Sequence, residues 1–220
     1  MTTTALSQLA PWFERLATLP DMDNVHNLFT NTTDAGRQRL ANLQRYFELS
    51  LQHAPSTLLV GEAPGYQGTY RTGVPFTSED ILMGPKNKFG LHGGEANGFG
   101  VAMPSEKLWK EPSATIVQRT IDSLPALPLI WATFPLHPHM PGRELSNRAP
   151  KADEVALGAS LLRDLIAILQ PAQVVAVGNI AEKTLNTLGI PTIKVRHPSH
   201  GGATLFHQQV MALLANSSSM

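Results

Sequence analysis

Two short turns carry the side chains best suited to proton transfer and charge stabilisation. Gly61-Glu62-Ala63-Pro64-Gly65 sets a carboxylate between glycines, and Arg196-His197-Pro198-Ser199-His200 sets an imidazole beside a hydroxyl. Brought to one pocket, such a pair can orient a water and donate to a developing anion. Each also has a plainer reading. A Glu after a strand serves as a helix cap or surface carboxylate, and a single His is often a structural one. His137 and His139 flank Pro138, a spacing that suits either a metal pair on one side of an extended segment or a rigid turn. Gly178-Asn179 reads most simply as the tight turn and cap of a following helix. The loop after Gly61 follows neither the dinucleotide fingerprint nor the phosphate loop with its Lys, and no G-x-S-x-G elbow occurs.

These turns need elements to hold them. Thr57-Leu58-Leu59-Val60 is an apolar run closed by Gly61, the form of a strand buried on both faces of a parallel sheet. The form returns at 128–134, 173–177 and 192–195. Thr33-Asp34 starts a helix to about His53, with Leu40, Leu43, Phe47 and Leu51 on one face. Further helices are predicted over 113–123, 151–169, 180–188 and 203–215. This alternation predicts an α/β fold, a three-layer α/β/α sandwich with a four-stranded, mainly parallel central sheet and right-handed crossovers. The expectation is one domain over 1–220, in which 1–54 supplies N-terminal helices. Between Tyr66 and Lys110 the chain has eight glycines plus Pro75, Pro85 and Pro104 and no clear period, so 66–110 is expected to be a long functional loop. Ligands of open α/β sheets bind beyond the carboxyl ends of the strands, where the Glu62, His137, Gly178 and His197 turns all fall.

Composition narrows the classes. The 220 residues include 17 Lys+Arg, 17 Asp+Glu and no cysteine. That excludes a disulfide framework, a thiolate nucleophile and a cysteine-held zinc or iron–sulfur cluster. Zero net charge argues against coating nucleic acid by bulk positive charge, while leaving room for a local basic groove. No apolar stretch approaches the roughly 20 residues of a membrane helix. Met1-Thr2-Thr3-Thr4-Ala5-Leu6 lacks the basic start and apolar core of a secretory signal, so a cytoplasmic protein without membrane contact is expected. The one low-complexity run is Ser217-Ser218-Ser219.

In combination the turns resemble the uracil-DNA glycosylase superfamily, in unbroken order over about 55–215. Gly61-Glu62-Ala63-Pro64-Gly65 is similar to the first motif of its thermostable iron–sulfur branch. Thr72-Gly73-Val74-Pro75-Phe76 resembles the segment that brings a stacking Phe over the flipped base, nearest to the single-strand-selective branch. Asn147-Arg148-Ala149-Pro150 with Glu154, then Val174-Val175-Ala176-Val177-Gly178 and Ala181, is similar to the approach to the third strand and its helix. His197-Pro198-Ser199 looks like the second catalytic motif.

The resemblance implies hydrolysis of an N-glycosidic bond in DNA, single-stranded DNA included, by a monomer that needs no cofactor and no metal. Glu62 and His197 are then the catalytic pair. Glu62 faces the cationic sugar and orients water, and His197 donates to the base oxygen. Gly61, Ala63, Gly65, Phe76 and Ala132 surround the base. Pro198, Ser199, His200, Gly201, Gly178 and Asn179 contact the DNA. Three departures stand out: the cluster cysteines are missing, Ala132 takes the place of the base-reading Asn, and the run His200-Gly201-Gly202-Ala203-Thr204-Leu205 lacks the usual basic or Asn continuation. A member of altered specificity is expected. The alternative is a glycosylase-fold protein, weakened or inactive, that acts as a nucleic-acid-binding or regulatory module.

Overall fold

The computed structural model describes residues 2–215, so the Ser217–Ser219 run lies outside the described residues. Helix α1 (Thr2–Ala17) buries Leu9, Trp12, Phe13 and Leu16, an i, i+3, i+4, i+7 stripe, and keeps Pro11 on its exposed face. A two-residue strand β1 (Val25–His26) follows, then α2 (Asp34–Leu51), whose first turn is capped by the Thr33 hydroxyl accepting from Gly36 N–H at 3.0 Å. After β2 (Thr57–Gly61) come two one-turn helices, α3 (Thr69–Thr72) and α4 (Glu79–Leu82), and a 3₁₀ turn at Gly94–Asn97. Helix α5 (Pro112–Ser123) has Pro at its start and is capped by the Glu111 carboxylate. The rest is β3 (Leu129–Ala132), β4 (His137–Pro138), α6 (Ala152–Leu169), β5 (Gln173–Val177), α7 (Asn179–Thr187), β6 (Ile193–Val195) and α8 (Ala203–Leu214).

Four strands form the central sheet in the order β3-β2-β5-β6, with every neighbouring pair parallel. The sheet is thus wholly parallel, and helices flank it as the alternation predicted. β2 is buried along its full length, which is why it reads as an unbroken apolar run. From β2 the chain goes first to β3 on one side and later to β5 on the other, so the carboxyl end of β2 lies at the reversal of strand order that leaves a crevice open. Helix α1 packs on α2 and α6, α5 packs on α8, and α7 packs on β2, β5 and β6. The core joins them through Trp12, Phe47 and Trp131, with the Trp12 and Trp131 rings 4.8 Å apart. The Tyr46 hydroxyl accepts from Ile130 N–H at 3.0 Å and so satisfies an amide of the edge strand β3. No helix among the described residues is long and apolar enough to cross a membrane.

Two regions depart from expectation. The antiparallel pair β1/β4, which matches Val25 with Pro138 and His26 with His137, is too short to carry a period. The 66–110 segment, expected as a long functional loop, is packed along its length: Tyr70, Val74, Leu82, Leu91 and Phe99 join the main core. Inside it Arg71 Nε lies 2.8 Å from Glu79 Oε1, both side chains at most 5% exposed, and the guanidinium sits 4.7 Å over Trp109. Its helices are four residues each, below the length at which a 3.6-residue period shows.

Candidate active site

Where β2 ends beside β3, Gly61 is paired in register with Ala132. Just beyond, Thr133 N–H donates to Gly61 O at 2.9 Å, and the Glu62 carbonyl accepts from Phe134 N–H at 3.0 Å and from the Thr133 hydroxyl at 2.8 Å. The Glu62 backbone is pinned by these bonds, and its side chain is left free. A cavity of about 430 Å³ opens at this point, lined by Gly61, Glu62, Ala63, Gly65, Phe76, Ala132, His197, Ser199 and His200 among others. The two turns that the sequence singled out therefore meet in one pocket.

The Glu62 carboxylate has no hydrogen bond or ion pair among the described residues, and burial pushes its pKa above the ordinary carboxylate value. His197 is held differently. Ser199 N–H donates to its Nδ1 at 3.2 Å, and Ser199 Oγ lies 2.7 Å from the same atom and 2.9 Å from His200 Nδ1. A backbone N–H can only donate, so Nδ1 is an acceptor and the ring proton sits on Nε2. Burial first, then the charges of Arg196 and His200, lower the His197 pKa. The ring is thus neutral at pH 7 with a donor at Nε2.

Phe76 reaches the pocket through a left-handed backbone, φ 45°, which is strained for an aromatic residue. Its carbonyl accepts from Gln118 Nε2 at 3.0 Å, and its ring centroid is 5.9 Å from that of His197.

Of the residues expected to contact the DNA, Ser199 and His200 line the cavity, whereas Pro198, Gly201, Gly178 and Asn179 do not. Gly178 (φ 92°) instead backs His197, where a Cβ would stand 3.2 Å from His197 Cβ. Asn179 opens α7 and turns its Oδ1 toward Lys194 Nζ at 3.4 Å. The histidine pair reads as structural. His137 Nδ1 lies 2.8 Å from Pro64 O and its Nε2 3.0 Å from Glu144 O, while His139 Nδ1 faces Met140 O at 3.1 Å. Among the described residues no group of three or more metal-ligating side chains comes together.

The pocket also holds residues to which the sequence reading gave no role in it, notably Thr69, Glu111, Ser113 and Asn147. Asn147 Oδ1 accepts from Tyr66 N–H at 2.9 Å and so ties the 139–150 stretch to the turn after Glu62. The motif Asn147-Arg148-Ala149-Pro150 was visible, but nothing local tells that its first residue faces Gly65.

A family model described as the uracil DNA glycosylase superfamily matches residues 50–214. Among solved structures, the crystal structure of wild-type Pedobacter heparinus SMUG2 matches with a TM-score of 0.64 at 16% identity, covering 96% of each chain, a likeness of fold. No curated protein matches the sequence.

Proposed function

The chain belongs to the uracil DNA glycosylase superfamily, and from that premise we propose that it hydrolyses the N-glycosidic bond of uracil or a related deaminated base in DNA. The observation that carries this reading is the meeting of a free carboxylate, Glu62, and a neutral imidazole, His197, in one cavity beside the Phe76 ring.

In this reading the target nucleotide leaves the stack and its base enters the cavity against Phe76. The bond from C1′ to the base nitrogen breaks and its electron pair leaves with the base, whose oxygen accepts from His197 Nε2–H as negative charge grows there. Positive charge grows on the sugar, where the Glu62 carboxylate stabilises it. Water adds to C1′, and Glu62 takes up its proton. Gly61, Ala63, Gly65 and Ala132 leave room for the base, and Ser199, His200 and Gly201 sit where the strand enters.

Ala132 favours a second reading, that of a weakened or inactive binding module, because a methyl group offers the base no hydrogen bond. Oligonucleotides carrying uracil, hypoxanthine or xanthine, single- and double-stranded, separate the two. Excision that is broad among deaminated bases and faster on single strands is expected. Absence of excision on all of them would overturn hydrolysis, and sharp uracil specificity on duplex DNA would overturn the broadened pocket.

A further inference from the structure

Deamination replaces an exocyclic amino group by a carbonyl oxygen. A pocket that tells the two apart needs an N–H group that donates and cannot accept. Ala132, the last residue of β3, presents only a methyl, and the Trp131 indole beside it packs against Trp12 and Phe47. Asn97 does not either: its Nδ2 donates to Gly90 O at 2.8 Å and His92 O at 2.6 Å. Asn87 lies away from this cavity: it lines a separate pocket with Asp80, Lys86 and His92, where its Oδ1 accepts from Phe89 and Leu91 N–H, both at 3.0 Å.

Among the residues lining the cavity, Asn147 is the one with a carboxamide side chain. Tyr66 N–H can only donate, so the amide atom facing it at 2.9 Å is oxygen, which fixes the orientation of the group. Nδ2 then keeps both hydrogens and has no partner among the described residues. Gly65 leaves this amide uncovered: a Cβ there would stand 3.6 Å from Nδ2 and 3.8 Å from Oδ1. The loop on either side is anchored. Arg148 makes a two-pronged pair with Glu154 at 2.6 and 2.7 Å and donates to His139 O, and Ser146 Oγ accepts from Met140 N–H at 3.0 Å. The donor is therefore pre-positioned, as a specificity group must be.

We propose that Asn147 reads the base, its Nδ2 donating to a carbonyl oxygen of the flipped base, so that oxo-bases are accepted and amino-bases meet donor against donor. The inference rests on the glycosylase reading and takes over the function that Ala132 cannot perform.

Asn147→Asp is the decisive variant. It keeps an oxygen for Tyr66 N–H and turns the free donor into an acceptor of the same size. Affinity is measured for single-stranded oligonucleotides carrying 2′-fluoro-2′-deoxyuridine or 2′-fluoro-2′-deoxycytidine, which resist cleavage because the fluorine disfavours charge on the sugar. The wild type is expected to prefer the uracil probe by about 100-fold, and Asn147→Asp to abolish or reverse that preference. A purely structural or long-range charge effect would weaken both probes alike and leave the ratio standing, which would overturn the proposal, as would a wild type without preference. Should the wild type discriminate the probes yet excise no base, hydrolysis falls while the reading role of Asn147 stands. Should it excise uracil while Asn147→Asp keeps the wild-type ratio, the reverse holds.

Discussion

The ring of Phe76 lies so close over Gly61 that a Cβ on residue 61 would stand 2.7 Å from its Cε2 and 3.1 Å from its Cζ. Gly61→Ala must therefore displace the ring or the end of β2. The expected cost in stability is about 1–3 kcal/mol, with a larger proportional loss in single-turnover excision because the stacking face moves. Calorimetry and a burst assay measure the two. An unchanged rate would show that Phe76 does not hold the base.

Glu62→Gln and His197→Ala should each lower the single-turnover rate by about 100- to 10,000-fold. Losses of only twofold would refute the pair. Because burial raises the Glu62 pKa, falling pH should protonate it and cut activity from above the ordinary carboxylate range downward. That acid limb should vanish from the residual activity of Glu62→Gln.

The same raised pKa has a stability consequence. The folded state favours protonated Glu62, a contribution present below the unfolded pKa and lost as pH rises through the folded one. Glu62→Gln should accordingly raise the melting temperature at neutral pH while removing activity. A lower melting temperature would mean that the carboxylate is held by interactions of its own.

His92 should contribute to the acid stability. It is 3% exposed, its Nε2 lacks a hydrogen-bond partner among the described residues, and burial pushes its pKa down to about 4. Neutral His92 contributes stability above the unfolded pKa of 6.5, lost as pH falls through the folded value of about 4. The full swing is about 3 kcal/mol. His92→Leu should flatten the fall in melting temperature between pH 6.5 and 4. An unchanged acid slope would place the effect on other groups, among them His26 and His137, whose pKa values burial also lowers.

Excision should survive a chelator. Both ring nitrogens of His137 face carbonyl oxygens, and the proposed chemistry uses oriented donors. A loss that zinc restores would return His137 and His139 to the role of ligands.

The sheet strands were legible as short apolar runs, and α2 because it runs far enough to show its period. Glu62 was legible because it follows the buried strand β2 directly, and His197 because it comes two residues after β6, so that chain order alone puts both on one edge of the sheet. Asn147 was not, since its contact with Tyr66 spans 81 residues and no local pattern encodes it. The same holds for the Asn179 Oδ1, which lies 3.4 Å from Lys194 Nζ across 15 residues, a contact that no local pattern encodes. The unit around Arg71 and Glu79 stayed hidden because its order comes from a buried ion pair instead of periodicity.

The contact between α1 and α6 bears on how the chain is born. The Trp12 indole donates to Leu161 O at 2.9 Å across 149 residues, Arg15 pairs with Asp164, and in the sheet Thr57 waits for Gln173. While a ribosome is still delivering the second half, the apolar stripe of α1 and one side of β2 have no native cover. Such distant closures are slow and leave sticky surface in the open. Holding factors that bind nascent apolar helices should therefore find this chain through α1, and release it only once α6 and β5 have emerged.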